Sequence, residues 1–451
     1  MLVKEPPAAG RLQDRLQAAD SSLMQAYPFG HTPLLNTYIN MQTGGFQMLL
    51  FEKMLDMGKR QEFLEYRAAK KNTQNRTQEM RDYLLSSRYE EDVRRLSAGD
   101  YHISVPVKKE IPKGYTDRKR TVYHFKEDEM TLFRMMSYAL HDYEDLFPRE
   151  VYSFKLGSCA RDLVLSIGRN QSLRTMYVVK TDVMNYGNSV DPDRLVGMIH
   201  AAFAEKDPKA DVFFTWLFQR KSFVYNGVVT QGDTSALPGI PIHNFFTNLY
   251  LTDMDKLLIP LCKKYARYSD DIIMFLPTVE EAKSCMDLLL SQLSDHGLTP
   301  HKGEKTAIHE PGSPYDYLGF NFYRDQVDIA EASVKKMKRK MRIRAKRIGI
   351  DRKGLHESPE DKAKHLLYLN SLTFFGRPDS DDLCWSRWAF PVITGTRRLH
   401  ELDLYNQRCI RYVLTGKWSD CQYRVKYRQL KELGYESLVR AYFRHQDTLL
   451  L

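Results

Sequence analysis

Short apolar runs in the middle of the chain alternate with longer helical patterns on either side. Residues 176–179 are apolar and rich in β-branched side chains, and residues 272–275 are fully apolar, so both predict buried strands. Residues 317–322 alternate in the manner of a strand, whereas residues 1–100 and the chain after Glu331 show helical spacing. The pattern therefore predicts an α+β fold with strands at its centre.

Two adjacent acids interrupt the apolar centre. Asp270 and Asp271 stand between short apolar runs, which predicts a tight hairpin with both carboxylates at its tip. Buried neighbouring carboxylates repel each other unless a cation neutralises them, and hard divalent cations prefer carboxylate oxygens. Asp182 follows the strand predicted at 176–179 and becomes a third ligand if that strand lies beside the hairpin. Three such acids can bind two magnesium ions about 4 Å apart, as in two-metal phosphoryl transfer. For an Asp-Asp pair alone, an ordinary solvated turn is the alternative.

Composition adds a moderate excess of positive charge. The 451 residues include 67 Lys and Arg against 57 Asp and Glu, a formal net charge of +10. This is compatible with nucleic-acid binding but does not establish it. The six cysteines include no CxxC pair, which disfavours a zinc ribbon and suits a reducing compartment. We find neither the apolar core of a signal peptide nor a run long enough to span a bilayer, so we expect a cytoplasmic protein without membrane contact.

Five short motifs follow one another between residues 182 and 320. They are Asp182 with the segment up to Val190, Gly239-Ile240-Pro241 with Thr247-Asn248-Leu249-Tyr250-Leu251, Tyr268-Ser269-Asp270-Asp271, Gly297-Leu298 with Lys305-Thr306, and Tyr317-Leu318-Gly319-Phe320. Their order and spacing resemble those of bacterial reverse transcriptases, the group of retron, group II intron and defence-associated enzymes. Residues 385–388, 402–403 and 430–439 resemble most the C-terminal extension of the defence-associated (abortive-infection and unknown-group) enzymes.

The resemblance implies a right-hand polymerase fold of fingers, palm and thumb with helical extensions at both ends. The expected divisions are a helical N-terminal extension at 1–100, fingers at 101–175, a palm at 176–325 with a fingers insertion at about 191–230, and a helical thumb and C-terminal region at 330–451. It also implies an RNA-directed DNA polymerase. In such an enzyme Asp182, Asp270 and Asp271, with the backbone of Val183, would bind two Mg²⁺ ions, Mn²⁺ being an alternative.

The resemblance assigns further residues to the nucleotide. Lys113 and Arg120 of the predicted fingers hairpin are expected to contact the triphosphate, and Lys305 to donate a proton to the leaving pyrophosphate. The other expected nucleotide contacts are Tyr186, Gly187, Gly239, Pro241 and Asn248. Gly187 stands where the family usually has a Phe that excludes a ribose 2′-hydroxyl. We therefore expect weakened discrimination against ribonucleotides, or a pocket reshaped for another substrate.

Other residues are expected to contact primer or template. Residues 333–348 contain nine Lys or Arg, and their apolar residues recur at spacings of three and four: Val334, Met337, Met341, Ala345 and Ile348. A helix that buries this stripe turns a basic face outward, which favours sequence-independent contacts with an anionic backbone. The expected contact residues are Lys155, Tyr317, Leu318, Gly319, Lys336, Lys340 and Arg344.

The partners that the resemblance implies are an RNA template, nascent DNA and nucleoside triphosphates. A non-coding RNA is the expected template, bacterial antiviral defence is the expected role, and a homo-oligomer stays open. Residues 237–239 are Leu-Pro-Gly where group II intron enzymes have Pro-Gln-Gly, which argues against a standard intron enzyme. Two alternatives remain: a retron or intron-derived reverse transcriptase, and a polymerase fold that binds RNA without catalysis.

Overall fold

Among the described residues, strands occupy the middle of the chain and helices dominate on either side of them. The structure, a computed structural model, describes residues 48–69, 74–112, 119–349, 358–377, 384–419 and 423–450, and its helices and strands all belong to one unit, Leu50–Leu451. In the described residues the strands are β1 (Val107–Pro112), β2 (Lys119–His124), β3 (Tyr177–Asp182), β4 (Ser222–Tyr225), β5 (Val228–Gln231), β6 (Lys264–Tyr268), β7 (Asp271–Leu276), β8 (Ala307–His309), β9 (Tyr315–Tyr317), β10 (Phe320–Tyr323) and β11 (Gln326–Ile329).

The α-helices surround these strands, and four of them precede the first strand within the described residues. In chain order they are α1 (Leu50–Leu55), α2 (Met57–Ala69), α3 (Gln74–Leu84), α4 (Ser87–Ala98), α5 (Glu127–Ala139), α6 (Ala160–Gly168), α7 (Tyr186–Ser189), α8 (Pro192–Phe203), α9 (Pro208–Phe218), α10 (His243–Tyr250), α11 (Thr252–Leu258), α12 (Val279–Asp295), α13 (Glu331–Gly349), α14 (Pro359–Phe375), α15 (Trp385–Ala389), α16 (Arg397–Thr415), α17 (Tyr427–Glu432) and α18 (Leu438–Leu450).

The central sheet contains the predicted hairpin. Its strand order is β6-β7-β3-β8, and all neighbouring strands are antiparallel. Because successive side chains of a strand point to opposite faces, the apolar run of β7 contributes to two hydrophobic cores. Ile272 and Met274 pack in the core that includes the N-terminal helices, whereas Ile273 and Phe275 pack in the core that includes the C-terminal helices. An uninterrupted apolar strand fits here because both faces of the sheet are covered.

A second sheet joins two distant parts of the chain. Its order is β2-β1-β4-β5, with β1 and β4 in contact at Val107 and Val224. Strands β4 and β5 follow α8 and α9, both of which begin with an aspartate N-cap and a proline in the first turn. The helical segment between β3 and β4 therefore returns the chain to the sheet that began with β1 and β2.

The C-terminal region is helical, as predicted. Helix α13 buries four residues of the expected stripe, Val334, Met337, Met341 and Ala345, while Ile348 is half-buried against the same core. Asp403 of α16 is buried and accepts hydrogen bonds from the backbone N–H groups of Leu438 and Val439 at 2.8 and 3.2 Å. A carboxylate at the first turn of α18 satisfies unpaired amides and the helix dipole, so it joins α16 to α18.

The mixed α and β architecture agrees with the predicted α+β class. Residues 1–47 of the predicted helical extension lie outside the described residues. One detail differs, because residues 317–322 form two strands of a hairpin instead of one strand. Leu318 and Gly319 both have positive φ, 47° and 86°, which reverses the chain between β9 and β10. In the part of the chain that the structure describes, no helix is both long enough and apolar enough to cross a membrane.

Candidate functional site

Strand pairing brings the three carboxylates to one end of the central sheet. β3 ends at Asp182, and its register with β7 places Asp182 opposite Asp271. Asp271 is also opposite Tyr268 of β6, so Ser269 and Asp270 form the turn between the two strands. Ser269 has a φ of +60°, the left-handed conformation that such short hairpin turns favour. Both acids were predicted at the tip of the hairpin. Of the two, only Asp270 lies in the turn, and Asp271 is the first residue of β7.

Negative charge at this end of the sheet is only partly compensated. Burial, followed by the charges of Asp182 and Asp270, raises the pKa of Asp271 to about 7. Burial and then the charge of Asp182 also raise the pKa of Asp270. A raised carboxyl pKa means that the folded protein disfavours the ionised form. All three side chains are nevertheless half-buried rather than enclosed, so solutes can reach them.

A lysine ammonium lies on the Asp182 side of this cluster. Lys305 comes from the short 3₁₀ turn Gly303–Lys305 and donates a hydrogen bond to Oδ2 of Asp182. His301 Nε2 lies 3.8 Å from the same oxygen. Across the described ranges, no three His, Cys, Asp or Glu side chains are arranged as a ready-made metal site. The cation that neutralises Asp182 here is therefore Lys305, and a metal ion would have to displace it or share the carboxylate.

The backbone after Asp182 is fixed by a short antiparallel bridge. Val183 pairs with Pro300, and the flanking hydrogen bonds run from Met184 N to Thr299 O at 2.8 Å and from His301 N to Asp182 O at 2.7 Å. Neither bond uses the carbonyl of Val183. The carbonyl oxygen of Val183, predicted as a backbone metal ligand, is therefore not used by the two hydrogen bonds of this bridge.

A buried ion pair is hydrogen-bonded to the turn between β6 and β7. Arg267, two residues before Ser269, donates to Asp255 through Nε at 2.7 Å, and both side chains are fully buried. Nη1 of Arg267 also donates to the carbonyl oxygen of Ser269 at 3.0 Å, and Ser269 N donates to Oγ of Ser153 at 2.9 Å. The guanidinium thus ties the turn to α11. Sequence reasoning missed Arg267, Asp255 and Ser153; the position of Arg267 in an otherwise apolar strand was the available signal.

The hairpin of the fifth motif contacts the acidic turn directly. Tyr317 is buried, and its hydroxyl donates to the carbonyl oxygen of Asp271 at 3.2 Å. Leu318 and Gly319 form the turn immediately after it, and Gly319 O accepts a hydrogen bond from Ser333 Oγ at 3.2 Å at the start of α13. The hairpin therefore connects the carboxylates to the basic helix through two hydrogen bonds.

The space beside Gly187 is filled by a histidine. A Cβ atom built on Gly187 would lie 2.7 Å from Nε2 and 2.8 Å from Cε1 of His243, closer than side chains pack. His243 Nδ1 lies 2.8 Å from the carbonyl oxygen of Ala236; because a carbonyl only accepts, Nδ1 donates and Nε2 remains an acceptor. Burial lowers the pKa of His243, which favours this neutral ring. Tyr186 is buried, and its hydroxyl donates a hydrogen bond to Thr247 O. His243 was not predicted.

The Gly239 loop packs against the second sheet. Gly239 has a φ of +104°, and an added Cβ would lie 2.9 Å from Cβ of Val122 and 3.0 Å from O of Tyr123, so glycine is required here. Pro241 O accepts a hydrogen bond from Ser137 Oγ at 3.1 Å. Arg120 is exposed on β2, two residues from Val122. The loop and the predicted triphosphate strand are therefore in contact, whereas Lys113 lies outside the described residues.

Three predicted contact residues have protein partners in the structure. Asn248 is buried, and its side chain donates to Ser153 O at 2.7 Å. Lys155 Nζ donates to Pro148 O at 2.6 Å, and burial lowers the pKa of this lysine. Arg344 donates to Leu369 O, Asn370 Oδ1 and Thr373 Oγ1 of α14. These hydrogen bonds hold the three side chains against the protein, although Lys155 and Arg344 have further N–H donors that these bonds do not use. By contrast, Lys336 is exposed and Lys340 half-buried on the face of α13 that adjoins the Leu318–Gly319 turn.

Comparison with known proteins finds similarity only at the level of structure. No protein-family model and no curated protein sequence matches the chain. Two solved structures that resemble it are telomerases. That of Candida tropicalis, without its C-terminal domain, has a TM-score of 0.36 and 13% identity, covering 50% of this chain and 55% of its own. That of Candida albicans, in complex with a fragment of telomeric RNA, has a TM-score of 0.39 and 13% identity, covering 81% and 70%. The chain thus spans little more than half of the first, and its function has to be inferred from the geometry of the site.

Proposed function

We propose that this protein is an RNA-directed DNA polymerase that adds nucleotides to a primer 3′ end. The observation that carries the proposal is the register that sets Asp182 opposite Asp271, with Asp270 in the adjoining turn. At an accessible sheet end the pKa values of Asp270 and Asp271 are raised, although the protein pairs the buried Asp255 with Arg267. Uncompensated negative charge of this kind is expected where an external cation binds.

The donor set fits magnesium. Carboxylate oxygens are the ligands that Mg²⁺ prefers, and three aspartates lie at one end of the sheet, although their side chains are not arranged as a ready-made metal site in the described residues. Asp182, Asp270 and Asp271 would hold the ions, with the carbonyl of Val183 as a further ligand. When bound, two such ions stabilise charge on the attacking and leaving oxygens of an in-line displacement.

The chain's own residues supply positioning and a proton donor. The Arg267–Asp255 pair and Ser153 fix the turn that bears Asp270, and Tyr317 fixes the backbone of Asp271. Lys305 lies at the cluster through its contact with Asp182. In the proposed reaction Lys305 releases Asp182 and gives a proton to the departing pyrophosphate.

Primer extension tests this function. Purified protein is given a poly(rA) template, an oligo(dT) primer, dTTP and MgCl₂, and the product length is measured. We expect extension by the wild type and a loss of at least about 10³-fold in the Asp270→Asn, Asp271→Asn double variant. Asp287→Asn, which changes an exposed acid of α12, is the matched control and keeps wild-type activity. Equal activity of the wild type and the double variant would reject the proposal.

One observation favours a second candidate, a polymerase fold that binds RNA without catalysis. The ammonium of Lys305 already occupies Asp182, and the described residues hold no ready-made metal site. Under this alternative the double variant keeps both RNA binding and the biological effect. Under the first proposal it keeps RNA binding and loses the effect, so the same variant separates the two.

The finer biological assignment rests on the resemblance of the sequence motifs. We propose a non-coding RNA as template and antiviral defence in bacteria as role, with the retron or intron-derived enzymes as the alternative. Sequencing the nucleic acid that co-purifies with the protein tests the template. A single recurrent RNA species is expected, and a random sample of cellular RNA would contradict the assignment.

Sugar selection follows from the Gly187–His243 pair. With no side chain at 187 and an acceptor Nε2 beside it, we propose that the pocket tolerates a ribose 2′-hydroxyl. Ribonucleotide and deoxynucleotide incorporation by the wild type are compared; a strong deoxynucleotide preference would reject the idea. Gly187→Phe alone clashes with the His243 ring, so the informative variant combines it with His243→Ala, with His243→Ala alone as control.

A further inference from the structure

A groove lies between the basic helix, the fifth-motif turn and the C-terminal helices. Its volume is about 350 Å³, and its walls come from Leu318 and Gly319, from Lys336 and Lys340 of α13, and from Trp385 and Trp388 of α15. This volume lies in the range of pockets that bind small ligands. The proposed polymerase chemistry does not use the groove, although two of its lysines were predicted to contact primer or template.

The two lysines of the groove differ from others on the same helix. Lys335 Nζ lies 2.7 Å from Glu331, and Lys338 Nζ lies 2.6 Å from Glu401. For Lys336 and Lys340, by contrast, the described residues supply no carboxylate partner within ion-pair distance. Burial, then the charges of Arg344 and Lys336, lower the pKa of Lys340. Neighbouring positive charges that have no carboxylate partner in the protein favour the binding of an anionic ligand.

The opposite wall of the groove is aromatic. Trp388 packs at 5.7 Å and an angle of 38° against Phe320, and Trp385 meets Phe374 edge-on at 6.3 Å. Both indoles are half-buried, so each is supported from behind and keeps part of its surface accessible from the groove. An accessible, supported indole is a platform on which a planar base can stack.

We propose that this groove binds one unpaired nucleotide of a nucleic-acid strand, with the base against the tryptophans and the phosphate beside Lys336 and Lys340. A paired base inside a duplex has both faces covered by its neighbours, so only an unpaired nucleotide offers a free face to an indole. The groove begins at the turn that follows Tyr317, whose hydroxyl bonds the backbone of Asp271. The groove thus adjoins the hairpin that contacts the acidic cluster, and binding of a nucleotide in it does not require catalysis.

Fluorescence anisotropy with short single-stranded probes tests the proposal on the full-length protein. The probes are a labelled oligo(dT) and an abasic oligomer of the same length and charge. We expect Trp388→Leu and Trp385→Leu to weaken oligo(dT) binding by about 5- to 150-fold, since stacking is worth about 1–3 kcal/mol per base, and to leave abasic binding unchanged. Equal losses for the two probes would show that the indoles act only through the fold and would overturn the proposal.

Charge variants keep the proposal testable if a tryptophan variant fails to fold. Lys336→Gln with Lys340→Gln should weaken both probes and reduce the slope of log affinity against log salt by about 0.7, the contribution of one phosphate contact of a single strand. Lys335→Gln with Arg339→Gln is the matched control, since it removes two exposed charges with the same spacing from the same helix. If the control pair lowers affinity and slope equally, the helix acts as a diffuse basic surface and the groove is not the site. Because these experiments measure binding and not extension, they test the groove even if the protein has no polymerase activity.

Discussion

Two groups of aspartates beside the β6–β7 hairpin have different surroundings: Asp255 is fully buried, whereas Asp182, Asp270 and Asp271 are half-buried. Asp255 is fully buried, and Arg267 and Tyr265 together satisfy it with three hydrogen bonds. Asp271 is less buried, yet burial and then the charges of Asp182 and Asp270 raise its pKa to about 7. The protein therefore pairs Asp255 with a buried arginine, whereas at the sheet end Lys305 contacts Asp182 and the pKa values of Asp270 and Asp271 stay raised.

The contrast separates a structural acid from a candidate functional one. A buried carboxylate with bidentate arginine contacts contributes to a fixed geometry, and breaking such a pair is costly. A carboxylate left among like charges costs stability in the absence of a cation. Arg267 fixes the turn through Ser269, Asp270 lies in that turn, and Asp182 and Asp271 lie at the strand ends beside it. Four variants or conditions test the contrast, from the largest expected effect to the smallest.

Removing the structural cation should have the largest effect on stability. Arg267→Met leaves Asp255 charged and without its partner, so the free energy of unfolding should fall by about 3–5 kcal/mol. Urea denaturation followed by circular dichroism measures the change. Arg267→Met combined with Asp255→Leu removes both charges and should recover most of the loss. A single variant as stable as the wild type would show that the pair contributes little.

Adding a divalent cation should stabilise the wild type but not the variant that lacks the acidic pair. A ligand that binds only the folded state stabilises it by about 2.7 kcal/mol at a concentration of 100 Kd. Thermal unfolding is recorded in EDTA and at increasing MgCl₂ or MnCl₂. The Asp270→Asn, Asp271→Asn variant should show no metal-dependent rise in Tm. A rise of equal size in both proteins would place the ion elsewhere.

Neutralising Asp271 should stabilise the metal-free protein, the opposite of neutralising Asp255. The folded pKa of Asp271, about 7, exceeds the ordinary value of 3.8, so its ionisation costs stability as pH rises through that interval. In EDTA at pH 8, Asp271→Asn should raise the free energy of unfolding by about 2 kcal/mol, after a discount for partial exposure. At pH 4 the gain should vanish. A gain that is independent of pH would have another cause.

Loosening the hairpin that contacts the acidic turn should have the smallest effect on stability. Tyr317→Phe removes the hydroxyl that donates to Asp271 O and should cost about 0.5–1.5 kcal/mol. Extension from the primer end should fall more than nucleotide binding, because the Tyr317 hydroxyl contacts the backbone of the candidate metal ligand Asp271. Tyr323→Phe, on the exposed end of β10, serves as the control. Equal loss in both variants would indicate a general effect of the hydroxyl deletion.

The periodicity of apolar residues predicted helices and strands well where an element buries one regular face. The stripe of α13 and the apolar runs of β3 and β7 were readable because helical and strand periods leave their mark on neighbouring residues. The same pattern did not distinguish Arg344, which bonds to α14, from Lys336 and Lys340, which line a groove. The three residues are spaced four apart along the same basic helix. Which of them is covered depends on the position of the neighbouring helix α14.

The sequence by itself determined the order of the motifs, the acids that end β3 and begin β7, and the helical or extended state of most segments. The tertiary structure alone decided that Asp255 neutralises Arg267, that His243 fills the space beside Gly187, and that Lys305 reaches Asp182. The physical reason is that periodicity shows which face of an element is buried, but not which side chain from another element meets it. Charge compensation and steric fit depend on that second choice, so the chemistry of the site became visible only in three dimensions.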